Sequence, residues 1–246
     1  MILDKYHCLT IQKREQLAKK AILFIYGGGM IIGPDRGDLR FAVELAQACD
    51  SDVWFPYYPL CIEHTIDESY KMVFQCYREM TELYNANEIS LFGFSSGAAL
   101  ALGIGFHNNA LGRILPMPRQ IIAVSPGSVP ASDEEIKKME ALNERDFMAD
   151  AKFMSTVKSI MSKGKNIPEY MLSGTRGDFS GLPPIHFYYG GDEVLSACAK
   201  SFASACDKKN VPYTMTIAAG MCHCYAIVNF FLEGKAARAE ITERLK

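Results

Sequence analysis

A chain of 246 residues, 49% hydrophobic and 22% charged, carries enough apolar material for one sizeable core. A formal net charge of −2 excludes the broad basic surface that nucleic acid or an anionic membrane would require. The eight cysteines lie mostly inside apolar runs, which suits buried, reduced thiols in a cytoplasmic protein rather than a disulfide framework.

The first residues, Met1 to Tyr6, lack a basic segment followed by a long apolar one, so no signal peptide is expected. No apolar run reaches membrane-spanning length. Tyr6 to Gln12 reads as an edge strand, and Lys19 to Tyr26 as a buried strand that ends at a glycine triplet, Gly27-Gly28-Gly29. Those glycines free the backbone to turn sharply and to point N–H groups outward. They match neither a dinucleotide-binding nor a Walker pattern, so a phosphate cradle is not indicated. Asp35 to Cys49 predicts a helix, Asp52 to Tyr58 a strand, and Ile66 to Tyr84 a helix with apolar residues at helical spacing. A strand over Ile89 to Gly93, a helix over Ala98 to His107 and a strand over Ile121 to Pro126 follow.

The alternation breaks between Gly127 and Gly181. This stretch is charged and methionine-rich, with helices expected near Ser132–Asn143 and Asp150–Lys163. It reads as a cap-like insertion between two strands of a single domain spanning residues 1–246. Leu182 to Tyr189 resumes the sheet, a helix runs to about Asp207, and Tyr213 to Ala218 is the last strand before a final helix ending near Leu245. The whole predicts an α/β protein, with a mainly parallel sheet and helices on both faces.

Three stretches carry chemistry. Gly93-Phe94-Ser95-Ser96-Gly97 is G-x-S-x-G between a predicted strand and a predicted helix, the pattern of a nucleophile elbow. The turn is so tight that the positions two before and two after the serine cannot carry side chains. Ser96 does not fit as nucleophile, since its flanking pair would be Phe94 and Ala98. A serine nucleophile needs a base, and the base needs an acid. In the chain order Ser, acid, His, only His223 follows the acid candidates Asp192 and Glu193. Asp192 is the preferred acid from its place just past a strand end, with Glu193 the alternative; Asp192 is also a natural cap for the helix that follows. The oxyanion of an acyl-transfer intermediate needs fixed N–H donors. Ser96 supplies one, and the glycine triplet, through Gly28 and Gly29, supplies the others.

With these motifs the chain resembles the hormone-sensitive-lipase-like carboxylesterases of the α/β-hydrolase fold. The resemblance runs from about Lys20 to Phe231, through Tyr26-Gly-Gly-Gly, Tyr58-Pro-Leu-Cys-Ile-Glu-His64, Gly93 to Gly97, Leu182-Pro-Pro, Gly191-Asp192-Glu-Val-Leu and Gly220-Met-Cys-His223. It implies a triad of Ser95, Asp192 and His223, an oxyanion hole of Gly28, Gly29 and Ser96, and no metal or other cofactor. It implies hydrolysis of short-chain, acetyl-like esters through an acyl-enzyme. Three departures stand out. Tyr26 replaces the family's usual His, Phe94 replaces the usual Asp, and only 25 residues precede Tyr26, so the N-terminal part of the cap is reduced.

An amidase or deacetylase would use the same triad. A non-catalytic binding protein, such as the plant gibberellin receptors, resembles the family but lacks the catalytic His, and His223 is present here. Cys222-His223-Cys224 has no second cluster to make a metal or redox centre. A small ester is the expected partner, and a second subunit over the apolar insertion would make a homodimer.

Overall fold

Buried strands alternating with amphipathic helices build one eight-stranded sheet in the computed structural model, which describes residues 1–3 and 5–246, the side chain of Ser155 aside. In chain order the strands are β1 (Ile2–Leu3), β2 (Tyr6–Ile11), β3 (Lys20–Ile25), β4 (Ser51–Pro56), β5 (Ile89–Phe94), β6 (Gln120–Val124), β7 (Ile185–Gly190) and β8 (Tyr213–Ala218). Their spatial order is β1-β2-β4-β3-β5-β6-β7-β8. The pairs β1/β2 and β2/β4 are antiparallel, and every pair from β4 to β8 is parallel. The Tyr6–Ile11 strand is therefore not the edge: Ile2–Leu3 pairs along its outer side.

The helices are α1 (Arg36–Cys49), α2 (Ile66–Leu83), α3 (Ser96–Ala110), α4 (Asp133–Leu142), α5 (Ala151–Ser162), α6 (Glu169–Leu172), α7 (Ala199–Lys209) and α8 (Leu232–Leu245). Helices α1 and α8 pack together, as do α2, α3 and α6, so the two faces of the sheet are covered by different groups. Strands β4, β5 and β6 are buried at every position, as continuous apolar runs between two helical layers must be. The final helix, α8, begins only at Leu232. Residues 219–231 form a loop, and a Cβ on Gly234 would stand 2.2 Å from the Val228 carbonyl, so this glycine lets the helix start against the loop.

The topology decides where a site can form. From β3 the chain steps outward to β4 through α1, then returns across β3 to β5. From β5 it moves the other way, through α3 to β6. The connections leaving β3 and β5 thus diverge, and the carboxyl ends of these neighbouring strands open a crevice. The glycine triplet follows β3, and Ser95 follows β5. Residues 127–181, between β6 and β7, carry α4, α5 and α6.

Candidate active site

Ser95 sits between β5 and α3 with φ 53° and ψ −127°, a conformation that non-glycine residues seldom adopt. Backbone contacts hold it there. The Ser95 N–H donates to the Val124 carbonyl at 2.8 Å. A Cβ on Gly93 would meet the Gly97 carbonyl oxygen at 2.4 Å, and one on Gly97 would meet the Ile25 carbonyl oxygen at 2.1 Å. The elbow is therefore wedged against its own helix and against the end of β3, as its two glycines predict.

The triplet beyond β3 is similarly forced. Gly28 and Gly29 have φ of 120° and 61°, and Met30 continues at 66°. The Gly28 carbonyl accepts from the N–H groups of Ile31 and Ile32 at 3.0 and 2.9 Å, closing a tight turn. Tyr26 does not bind this loop through its ring. It stacks on Tyr58 with centroids 4.4 Å apart, and the Tyr58 hydroxyl donates to the carbonyls of Tyr26 and Gly27 at 3.0 and 3.4 Å. Phe94 takes up space under the same loop, since a Cβ on Gly27 would lie 2.6 Å from its ring. Both departures from the family pattern are thus parts of one aromatic bed beneath the glycines.

His223 arrives on the loop after β8. Gly190 and Gly191 let that loop cross the end of β7: a Cβ on Gly190 would lie 2.3 Å from both the Met221 and the Cys222 carbonyl oxygens. His223 Nε2 stands 3.0 Å from Ser95 Oγ, and its Nδ1 stands 2.7 Å from Glu193 Oε2. The imidazole and the Glu193 side chain are both buried.

The carboxylate that meets the histidine is Glu193, not the expected Asp192. The Asp192 N–H donates to the Met221 carbonyl at 3.1 Å, while its side chain turns outward to Arg145 Nη1 at 3.3 Å. The chain turns at Gly191 and Asp192 before Glu193, which is in extended backbone at φ −91° and ψ 144°. Of the two neighbours it is the glutamate that faces His223, while the aspartate faces Arg145. Asp192 does not cap the next helix either, because the segment starts at Val194 with Glu193 before it.

Two further side chains fix the acid loop and the histidine loop. Asp146, buried between α4 and α5, accepts the Val194 N–H at 2.8 Å and the N–H groups of Met148 and Ala149 at 2.9 and 3.0 Å. Ser125, at the end of β6 with φ 47°, accepts the Cys224 N–H at 3.1 Å through Oγ. The sequence gives Asp146 no periodic or motif signal, whereas Ser125-Pro126 at a strand end could have marked a special turn.

Burial raises the Glu193 carboxyl above its ordinary value, with the His223 contact opposing. For His223 burial acts downward, but the Cys224 thiol and the Glu193 carboxylate outweigh it, so the imidazole is more basic than a free histidine. Ser95, Ser96, His223, Gly28 and Gly29 all face one cavity of about 650 Å³. Its lining is methionine-rich, with Met148, Met154, Met161 and Met171, and the Phe153 ring of α5 lies 3.4 Å from where a Gly29 Cβ would be. Among the described residues, no group of three or more His, Cys, Asp or Glu is placed to hold a metal, and no helix is long and apolar enough to cross a membrane.

The family model described as the alpha/beta hydrolase fold matches residues 22–227. An esterase from Acinetobacter venetianus is 24% identical over 94% of this chain and 76% of its own length. An acetyl-hydrolase from Streptomyces hygroscopicus is 23% identical over 79% of this chain and 64% of its own. Among solved structures, EstE5 soaked with p-nitrophenyl butyrate superposes with a TM-score of 0.86 at 23% identity, covering 100% of this chain and 82% of that one. A hormone-sensitive lipase from a metagenome library gives 0.84 at 22% identity, over 100% and 82%.

Proposed function

We propose that this chain, which belongs to the alpha/beta hydrolase fold family, is a hormone-sensitive-lipase-like carboxylic ester hydrolase that cleaves short-chain, acetyl-like esters through an acyl-enzyme on Ser95. The observation that carries this reading is the unbroken relay from Ser95 Oγ through His223 to Glu193, at 3.0 and 2.7 Å. His223 Nε2 takes the Ser95 proton as Oγ attacks the ester carbonyl. The oxyanion that forms is met by the N–H groups of Gly28, Gly29 and Ser96. His223 returns the proton to the leaving alkoxide, then activates water to release the acid. Glu193 holds the imidazole in the tautomer with its proton on Nδ1 and stabilises the imidazolium between steps. In this reading Glu193 replaces Asp192 as the acid.

The whole chain, 1–246, acts as one catalytic domain, and residues 127–181 serve as its cap. The short-acyl preference draws support from the relatives named acetyl-hydrolase and putative acetyl-hydrolase and from Phe153 and the methionines that line the same cavity as Ser95. The test is hydrolysis of p-nitrophenyl esters of graded length, beside the corresponding anilides. The expected result is the highest kcat/KM at about two to four acyl carbons, with the anilides far slower. A maximum beyond about eight carbons contradicts the short-chain reading, and turnover of anilides alone points to an amidase. Binding without turnover of either marks a non-catalytic binding protein.

A further inference from the structure

A second nucleophile shares the histidine. Cys224 Sγ lies 3.3 Å from His223 Nε2, the same nitrogen that stands 3.0 Å from Ser95 Oγ. Its placement is built in. Cys224 adopts φ 58°, in the left-handed region that a non-glycine residue occupies only when held there, and its N–H is tied to Ser125 Oγ at 3.1 Å. The residue lines the cavity that holds Ser95 and His223.

The other cysteines are differently placed. Burial pushes the thiols of Cys49 and Cys61 up to about 11 and that of Cys206 to about 12, which keeps them protonated and inert. Cys222 is half-buried, but it does not line the cavity and lies outside hydrogen-bonding distance of a histidine nitrogen. Cys224 alone among the described cysteines combines a base within reach and access from the substrate cavity.

We propose that Cys224 and His223 form a thiol-modification site for low-molecular-weight disulfides, and that its occupation switches ester hydrolysis off. His223 Nε2 takes the thiol proton, and the Cys224 thiolate attacks one sulfur of a small disulfide R–S–S–R. The new Sγ–S bond forms as the S–S bond of the reagent breaks. The departing thiolate recovers the proton from Nε2 and leaves as R–SH, so one disulfide and one thiol are exchanged for another pair with no further oxidant. The attached R–S group then sits beside Nε2, between the base and the incoming ester. A small free thiol reverses the exchange. The thiol chemistry stands on the Cys224–His223 geometry alone, whereas the loss of hydrolysis rests on the function proposed above.

The experiment separates the two. The Ser95→Ala protein is exposed to bis(2-hydroxyethyl) disulfide, and peptide mass mapping follows each cysteine with time. Cys224 is expected to be modified at least about tenfold faster than Cys222, and Ser95→Ala/His223→Gln, folded by circular dichroism, to lose about tenfold of that rate. Modification of Cys222 ahead of Cys224, or an unchanged rate without His223, overturns the site. In the wild-type protein and in Cys222→Ser, hydrolysis of p-nitrophenyl acetate should fall in step with Cys224 occupancy and return with dithiothreitol. Full occupancy with undiminished hydrolysis overturns the switch. A wild-type protein that hydrolyses no ester refutes the proposed function, and the Ser95→Ala mapping still decides the thiol site.

Discussion

The elbow and the cap meet across one cavity but are held in opposite ways. At the elbow, backbone touches backbone. An added Cβ at Gly93 or Gly97 would come within 2.4 or 2.1 Å of a carbonyl oxygen, so the turn fixes which residue types can stand there. The cap approaches through side chains: Phe153 over Gly29, methionines along the wall, and one carboxylate, Asp146, on the acid loop. Methionine fills such gaps flexibly and tolerates exchange. Catalytic position is thus set by steric necessity on the sheet side, while the shape of the cavity is set by adaptable packing on the other. Substitutions on the sheet side should change rate by orders of magnitude, and those of the methionines on the cap side should change selectivity.

The largest expected effect is at Ser95. Ser95→Ala keeps the elbow, since alanine carries the same Cβ, but removes the nucleophile. Its kcat should fall by about 10⁴-fold or more with circular dichroism and thermal melting unchanged. Retained activity would place the nucleophile elsewhere.

The pH dependence comes next. His223 must be neutral to accept the Ser95 proton, and its folded-state value is raised by Cys224 and Glu193 against the pull of burial. Activity is therefore present above that value and is lost as pH falls through it. The acid limb of kcat/KM should have its midpoint above the ordinary histidine value of about 6.5, falling about tenfold per pH unit below it. A midpoint below about 6 would mean that burial prevails over the two contacts.

Asp146 tests whether the cap reaches the chemistry at all. Asp146→Ala strips three N–H groups of their acceptor, one of them on the buried residue following Glu193. We expect a loss of about 1–3 kcal/mol in stability by denaturant melting and about tenfold in kcat/KM. Lost stability with unchanged kcat/KM would show that Glu193 keeps its place without the cap. The smallest effect belongs to the methionine wall. The pair Met154→Ser/Met161→Ser should alter the acyl-length profile by a few-fold while Ser95 stays reactive. An unchanged profile would assign these residues to anchoring helix α5.

How much of this was legible in the sequence follows the same division. Ser95, His223 and both glycine motifs could be read because tight backbone turns demand particular residues at fixed spacing, and the alternation of strand and helix placed them at strand ends. The carboxylate that meets His223 could be read only to a pair. Asp192 and Glu193 both follow β7, and which one faces His223 depends on how the turn leaves the strand, which no local pattern records. Asp146 could not be read, because its partner Val194 lies 48 residues away across the cap boundary. Tyr58 lay within a recognised motif, but its hold on the carbonyls of Tyr26 and Gly27 follows from pairing of β3 with β4 in space.

The relay from Ser95 to Glu193 is tested most directly by the rate at which a fluorophosphonate labels Ser95 in the wild type, in Glu193→Gln and in Asp192→Asn, with the labelled residue located by mass spectrometry. Labelling should fall on Ser95, slow by about 10²-fold or more in Glu193→Gln, and stay within about threefold of wild type in Asp192→Asn. Label on Ser96, or a slower Asp192→Asn than Glu193→Gln, would contradict the relay.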